Sequence, residues 1–187
     1  MIECMFGETT KLRKPQRAAA IAAYSHFMTN SEPAILCLPT GSGKTVLIAL
    51  LHLVLSSRRT IVVEPTTALR QQSKDRLDGL SELSSYMSIP PEVTQKVIKC
   101  IELKREMDSE EKWLEIEECD ICVCTPHVAS SKLKRVVAPP TDLEIDLVII
   151  DEAHHSAAIT WSCVQIPMAR ISRFRSSSRH SLGANPA

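Results

Sequence analysis

A glycine-rich segment, Leu38-Pro-Thr-Gly-Ser-Gly-Lys-Thr45, constrains the fold of this chain more than any other feature. It follows a short apolar run, 34–38, that predicts a buried strand, and it opens a leucine-rich run, 45–55, that predicts a buried helix. Glycines let backbone N–H groups turn inward around an anion, and a helix N-terminus adds partial positive charge. The segment therefore predicts a phosphate-binding loop between a strand and a helix.

The residues of this loop have distinct expected roles. The nucleotide-binding residues that we expect in it are Thr40, Gly41, Ser42, Gly43, Lys44 and Thr45. Lys44 would reach the outer phosphates of a nucleoside triphosphate, and the Thr45 hydroxyl would bind Mg²⁺. The general motif has glycine where this chain has Leu38, although the shorter core of the motif is intact.

Two consecutive acids, Asp151 and Glu152, follow the most apolar strand-like run of the chain, 145–150. A buried strand would deliver both carboxylates to the carboxyl edge of a sheet, where ligands bind in open α/β folds. Asp151 suits Mg²⁺, and Glu152 suits a base that orients and deprotonates a water. We therefore expect Lys44, Asp151 and Glu152 to be catalytic. Taken alone, the two acids would equally fit an exposed strand end.

The remaining runs alternate between strand and helix patterns. The other segments with strand patterns are 60–64, 97–103 and 120–124. Those with helical patterns are 66–83, 104–118 and a helix that begins at Pro126. Strands that alternate with helices indicate right-handed crossovers, so we predict an α/β fold whose parallel sheet is covered by helices on both faces.

Composition and length favour a single globular domain. The chain has 187 residues, of which 44% are hydrophobic and 24% charged. No run of about 18 apolar residues occurs, so we expect no transmembrane helix. Residues 1–10 do not show the pattern of a signal peptide.

Charge is unevenly distributed, although the net charge is zero. All acids lie at or before Glu152, whereas four arginines lie within 170–187. Overall charge gives no support for a basic nucleic-acid-binding face, so any such surface must be local.

Seven cysteines are scattered without a metal-ligand spacing, although Cys119, Cys122 and Cys124 lie close together in the sequence. Cys122 and Cys124 alternate as residues on one face of a strand would. We interpret the cysteines as small buried side chains in a reducing compartment, which predicts an intracellular protein without distinguishing cytoplasm from nucleus.

These motifs together resemble the first RecA-like domain of superfamily 2 helicases. The form of the phosphate loop and the segment Asp151-Glu-Ala-His-His155 are similar to the restriction-enzyme Res-subunit branch, close to the DEAD/DEAH-box group. The resemblance covers about 11–161. It implies a RecA-like P-loop ATPase that uses ATP and Mg²⁺ to remodel nucleic acid, with DNA favoured over RNA, and a coupling role for His154.

A short element before the first helix extends the resemblance. Leu12-Arg-Lys-Pro-Gln16 is similar to the motif in which a glutamine reads adenine. A glutamine amide can pair with adenine N6 and N7 together, which favours ATP over GTP. The alternative is that Gln16 is a polar residue that opens the helix containing 18–27.

Two further pairs resemble motifs that contact the nucleic-acid backbone. Pro65-Thr66 would present N–H groups to a phosphate at a helix start, although many relatives carry arginine where this chain has Thr67. Thr125-Pro126 resembles the second such motif, and an ordinary strand-to-helix turn is its alternative. Such contacts do not determine which base sequence is bound.

The family pattern is lost after about residue 161. We expect an ATP-binding domain over 1–169, incomplete in its last strands, and a disordered basic tail over 170–187. We expect the second helicase domain to be absent, which predicts weak ATP binding and slow hydrolysis. The tail could instead be a nucleic-acid-binding arm, or the translation of a wrong reading frame or retained intron.

Two other functions are alternatives to a motor domain. A truncated, catalytically incompetent nucleotide-binding fragment would share every motif. A small kinase or a transporter ATPase is disfavoured, because the motifs occur in helicase order.

Overall fold

The computed structural model describes residues 10–39, 41–87, 97–129, 137, 139–140 and 143–152. Its helices are α1 (Lys14–Thr29), α2 (Lys44–Val54), α3 (Thr67–Leu77), α4 (Ser81–Ser84), α5 (Glu110–Leu114) and α6 (Pro126–Ala129). Its strands are β1 (Thr60–Val63), β2 (Cys100–Glu102), β3 (Ile121–Cys124) and β4 (Leu147–Ile150). A 3₁₀ turn, Asp78–Leu80, joins α3 to α4.

The four strands form one parallel sheet in the order β2-β3-β1-β4. Each of the pairings is parallel, so all four strands begin at the same edge of the sheet. The chain therefore crosses back to that edge between one strand and the next. Within β1, Val63 is in register with Cys124 of β3 on one side and with Ile150 of β4 on the other. The predicted α/β fold with a parallel sheet is confirmed.

Helices cover both faces of this sheet. Successive side chains of a strand point to opposite faces, so Val62 packs in one cluster while Ile61 and Val63 pack in the other. The first cluster contains apolar side chains of α1, α2 and the α3–α4 region, and the second contains Trp113 and Val128 from α5 and α6. Within the described part of the chain, no helix has the length and apolar character needed to cross a bilayer.

The segment 34–38 was predicted to be a buried strand, and this prediction is wrong. It forms no strand, and Ile35 is 85% exposed. A strand requires a neighbour that takes up its backbone N–H and C=O groups, and no described segment hydrogen bonds to 34–38. Leu36 and Leu38 still pack against the first cluster. The run therefore contributes apolar side chains to the core, although it is not a strand of the described sheet.

The last strand also differs from its prediction. We expected a fully buried strand over 145–150, but β4 is only half-buried and Ile150 is 36% exposed. β4 pairs with β1 on one side and is the edge strand of the described sheet. One side of its backbone therefore has no neighbouring strand in the described sheet, whereas an inner strand has one on each side.

Two helices are shorter than the helical patterns predicted. The pattern over 66–83 divides at Gly79, whose φ of 64° lies in the left-handed region. The chain turns there because the Gly79 N–H donates to the Ile98 carbonyl and Asp78 accepts from the Cys100 N–H. The pattern over 104–118 yields only α5, which Trp113 anchors in the core.

Arg59, which is buried immediately before β1, joins three separate segments of the chain. Its guanidinium donates to the carbonyl groups of Ile116, Glu117, Cys119 and Glu144 at 2.6–3.3 Å. These carbonyls lie before β3 and before β4. The same side chain therefore fixes where three neighbouring strands begin.

Replacing Arg59 with methionine should destabilise the protein by about 3 kcal/mol, because four carbonyl groups lose a charged donor inside the protein. Urea unfolding would measure this change. Arg58→Met is the matched control, since the Arg58 ion pair with Glu144 is exposed and should contribute no more than about 0.5 kcal/mol. Equal effects of the two substitutions would contradict the role given to Arg59.

Candidate nucleotide-binding site

Three strands bring polar residues to one edge of the sheet. The Asp151 N–H donates to the Val63 carbonyl at 3.0 Å, and the Glu64 N–H donates to the Cys124 carbonyl at 2.9 Å. These bonds continue the strand pairing one residue past each strand end. Glu64, Thr125 and Asp151 therefore lie side by side at the carboxyl edge, the edge predicted to carry the acids.

The phosphate loop reaches the same edge from α2. Gly41 and Gly43 adopt φ angles of 73° and 81°, which side chains rarely tolerate. Gly43 precedes the first residue of α2, whose leading N–H groups have no carbonyl in their own helix to bind. The Ser42 hydroxyl is buried and finds no partner among the described residues. Thr40, which we expected in the loop, lies outside the described residues.

Lys44 and the paired acids meet across this edge. The Lys44 ammonium lies 2.5 Å from Glu152 Oε1 and 3.9 Å from Asp151 Oδ1. The hydrogen bond with Glu152 raises the pKa of Lys44, and the nearby charge of Asp151 adds to this effect. Glu152 has a φ of 51° and its N–H donates to Asp151 Oδ1 at 2.8 Å. A strained turn thus directs both carboxylates towards the loop.

This arrangement fits a metal-bound nucleoside triphosphate. The Lys44 ammonium offsets the charge of the two carboxylates. A carboxylate and a hydroxyl, Asp151 and Thr45, are oxygen ligands of the kind that Mg²⁺ prefers, and Thr45 is half-buried at the start of α2. Phosphate oxygens would suit the positive φ loop and the helix N-terminus.

Gln16 lies against the phosphate loop, with its amide engaged by the protein. Its side chain accepts from the Arg13 N–H at 2.8 Å and donates to the Gly43 carbonyl at 3.2 Å. Arg13 itself donates to the Gly41 carbonyl at 2.6 Å. Gln16 is completely buried, so contact with adenine would require the loop or Arg13 to move. The first of these bonds is the helix-opening contact that we gave as its alternative role.

Glu64 is a third carboxyl at this edge that the sequence analysis did not single out as functional. It is 1% exposed, and Ser73 donates to its Oε1 at 2.5 Å. Its other oxygen is buried without a partner among the described residues. Burial raises the pKa of Glu64 and the Ser73 bond opposes this, while the charges of Asp151 and Glu152 raise it further. Its only signal in the sequence is an acid that ends an apolar strand.

The two pairs expected to contact nucleic acid differ in exposure. Thr66 is exposed and caps α3, because its hydroxyl accepts from the Leu69 N–H at 3.2 Å. Pro65 beside it is half-buried. Thr125 and Pro126 are buried, and the Thr125 carbonyl accepts from the Val128 N–H at 3.0 Å. That turn has the hydrogen bonding of an ordinary strand-to-helix connection. His154 lies outside the described residues.

Glu64→Gln should make stability less dependent on pH. The pKa of Glu64 in the folded chain lies above its ordinary value of 4.5, so native Glu64 holds its proton more tightly than the unfolded chain does. The resulting stability is present below that ordinary value and is lost as pH rises through the folded pKa. Urea unfolding at several pH values should show this fall in the parent protein, and a smaller fall in Glu64→Gln.

Glu102→Gln is the matched control with the opposite sign. Glu102 is also largely buried, but Arg70 donates to it at 2.7 Å. Burial raises the pKa of Glu102, whereas hydrogen bonds from Arg70 and Lys104 outweigh this and lower it. Its stabilisation is therefore present at neutral pH and lost in acid, and Glu102→Gln should destabilise at neutral pH. The same response from both variants would contradict the assignment.

Comparison with known proteins places the chain in a family. A family model described as "Type III restriction enzyme, res subunit" matches residues 9–183. No curated protein shows significant similarity to the chain. A solved structure described as a hypothetical ATP-dependent RNA helicase from Sulfolobus tokodaii is similar in fold, with a TM-score of 0.53 and 23% identity.

The alignment with that structure covers 91% of this chain and 45% of the helicase chain, so this chain spans less than half of its length. At this identity the likeness concerns the fold, which agrees with the RecA-like domain predicted from the motifs. The family match extends over most of the chain and includes the phosphate loop and both acids. The chain therefore belongs to the type III restriction enzyme res-subunit family.

Proposed function

We propose that this chain binds Mg²⁺–ATP at the carboxyl edge of its sheet and hydrolyses it to remodel nucleic acid, with DNA as the preferred substrate. The observation that supports the proposal is the meeting of Lys44 with Glu152, 108 residues later in the chain, at 2.5 Å. A cationic loop residue and a strand-end acid are brought together at the place where the fold presents a helix N-terminus.

ATP binding would rearrange this ion pair. The triphosphate would lie on the loop from Gly41 to Thr45, and Lys44 would exchange its hydrogen bond with Glu152 for the phosphate oxygens. Glu152 would then accept a proton from the attacking water. Thr45 and Asp151 would hold Mg²⁺, which offsets charge on the phosphates when it is bound.

Nucleic acid would contact the same edge of the sheet. Thr66 is exposed at the N-terminus of α3, an 11-residue helix whose first N–H groups can bind a phosphate. The buried Thr125-Pro126 turn would take part only after the chain around it opens. His154, in the DEAH-like segment, would couple hydrolysis to movement of the nucleic acid.

A second RecA-like domain would complete the site. An arginine supplied to a transferring phosphate contributes about 10³- to 10⁵-fold in rate in related chemistry. We therefore propose slow hydrolysis by these 187 residues alone. The free thiols of the buried cysteines support an intracellular setting, with cytoplasm and nucleus not distinguished.

Lys44→Ala should abolish ATP binding, because it removes the cation that meets the phosphates. Glu152→Gln should retain binding and lower hydrolysis by about 10²- to 10⁴-fold, because only the base is lost. Fluorescent-nucleotide binding and phosphate release would measure the two effects. Lys74→Ala is the matched control, since Lys74 pairs with Asp78 away from the phosphate loop. Hydrolysis that survives Lys44→Ala would refute the proposed site.

The same assay separates the substrates. Phosphate release would be measured with single-stranded DNA, duplex DNA and RNA of equal length. We expect the larger stimulation from DNA. Stimulation by RNA alone would overturn the DNA preference, and the absence of any stimulation by nucleic acid would favour a nucleotide-binding fragment.

Gly43→Ala should weaken ATP binding more than Gly41→Ala. A Cβ at residue 43 would lie 2.4 Å from Gln16 Nε2, so Gln16 must shift in addition to the strain of a positive φ. A Cβ at residue 41 meets nothing within 4 Å, so that variant carries the φ strain alone. Equal affinities in a titration with the same nucleotide would show that the Gln16 contact does not shape the loop.

A further inference from the structure

Two cysteines with C-x-x-C spacing lie in contact at the opposite edge of the sheet from the nucleotide site. Cys119 lies in the turn that precedes β3, and Cys122 is the second residue of β3. Their sulfur atoms are 2.9 Å apart. Both side chains are buried, at 3% and 0% exposure. The fold therefore holds two thiols within reach of each other, with little freedom to separate.

The surroundings make the two thiols chemically unequal. The hydrogen bond with Cys122 is the main cause that lowers the pKa of Cys119. Burial and the charge of Asp120 oppose this effect, whereas the positive charges of Arg59 and Lys99 add to it. Burial raises the pKa of Cys122 well above its ordinary range. A thiolate is the nucleophilic form of cysteine, so this difference favours Cys119 as the attacking sulfur and Cys122 as the resolving one.

A cavity of about 580 Å³ has Cys119, one member of this pair, in its lining. It is bounded by the residues that precede the strands, and its lining includes Arg58, Arg59, Lys99, Asp120 and Cys119 itself. The cavity therefore extends to Cys119 at the amino edge of the sheet. Cys122 is not among the residues that line the cavity, and both cysteines belong to the second cluster.

We propose that Cys119 and Cys122 form a redox-active dithiol that a peroxide oxidises to a disulfide. The Cys119 thiolate attacks one oxygen of hydrogen peroxide, the O–O bond breaks, and the other oxygen leaves as water once it is protonated, so Cys119 becomes a sulfenic acid. Cys122 then attacks that sulfur, loses its proton, and releases the hydroxyl as a second water. Two thiols and one peroxide thus give one disulfide and two waters.

Geometry favours a dithiol over a metal site. Within the described ranges, no group of three or more histidine, cysteine or acidic side chains comes together as metal ligands. The other buried cysteines are also poor competitors, because burial raises the pKa of both Cys100 and Cys124 to about 12. Cys124 is on the same strand as Cys122, so it is an internal reference for reactivity.

The test is peptide mapping of the folded chain after oxidation. The reduced protein is exposed to hydrogen peroxide, its remaining thiols are alkylated, and trypsin releases residues 113–132 as one peptide that contains all three cysteines. We expect a peptide lighter by two hydrogens, with Cys124 alone alkylated, and at least a tenfold excess over the forms that join Cys124. Complete alkylation of all three cysteines, or pairing without preference, would overturn the proposal.

Variants assign the two roles. Cys122→Ser should leave a sulfenic acid on Cys119, detected as an adduct with dimedone, whereas Cys119→Ser should leave Cys122 reduced. Cys124→Ser is the matched control and should still form the bond. A dimedone adduct on Cys122 in the Cys119→Ser variant would reverse the assignment. Because the nucleotide site is at the other edge, ATP binding serves as the check that each variant is folded.

Discussion

The position of Val63 between two parallel partners is the constraint on which the candidate nucleotide-binding site depends. It is in register with Cys124 on one side and Ile150 on the other, so three strands end at the same level. The residues that follow them are Glu64, Thr125 and Asp151, and backbone hydrogen bonds extend the pairing to them. Residues of the candidate site that are far apart in the sequence meet because parallel strands all deliver their carboxyl ends to one edge.

This alignment carries an electrostatic cost that Lys44 offsets. Glu64, Asp151 and Glu152 would be three neighbouring anions, and like charges oppose one another's ionisation. Lys44 contacts the last two, whereas the pKa of Glu64 rises because it is buried beside them. If Lys44 turned to a phosphate, as proposed above, the two carboxylates would need another cation beside them. The proposed Mg²⁺ would fit the charges that the chain holds at this edge.

The local pattern of apolar residues predicted much of the fold, because burial and helical spacing determine where most of its helices and strands form. The limits of β1, β3 and α2 were predicted to within one residue, whereas 34–38 was wrongly assigned to a strand. An apolar run shows that a segment is packed, but strand pairing depends on a neighbour elsewhere in the chain. Glu64 escaped notice for the same reason, since its proximity to Asp151 comes from strand order. The sequence predicted that both acids lie at the carboxyl edge and that Lys44 acts with them. It did not predict that Lys44 contacts them directly.

The amino edge of the sheet shows that the same topology builds a second chemical environment. Four strand residues at roughly 3.3 Å each place it about 13 Å from the carboxyl edge. Arg59 links the starts of β1, β3 and β4 there, and one of its acceptors is the Cys119 carbonyl. The charge that holds the strand starts together is therefore also the charge beside the Cys119 thiol. Arg59 therefore has two roles, since the same guanidinium holds the strand starts together and places a positive charge beside Cys119.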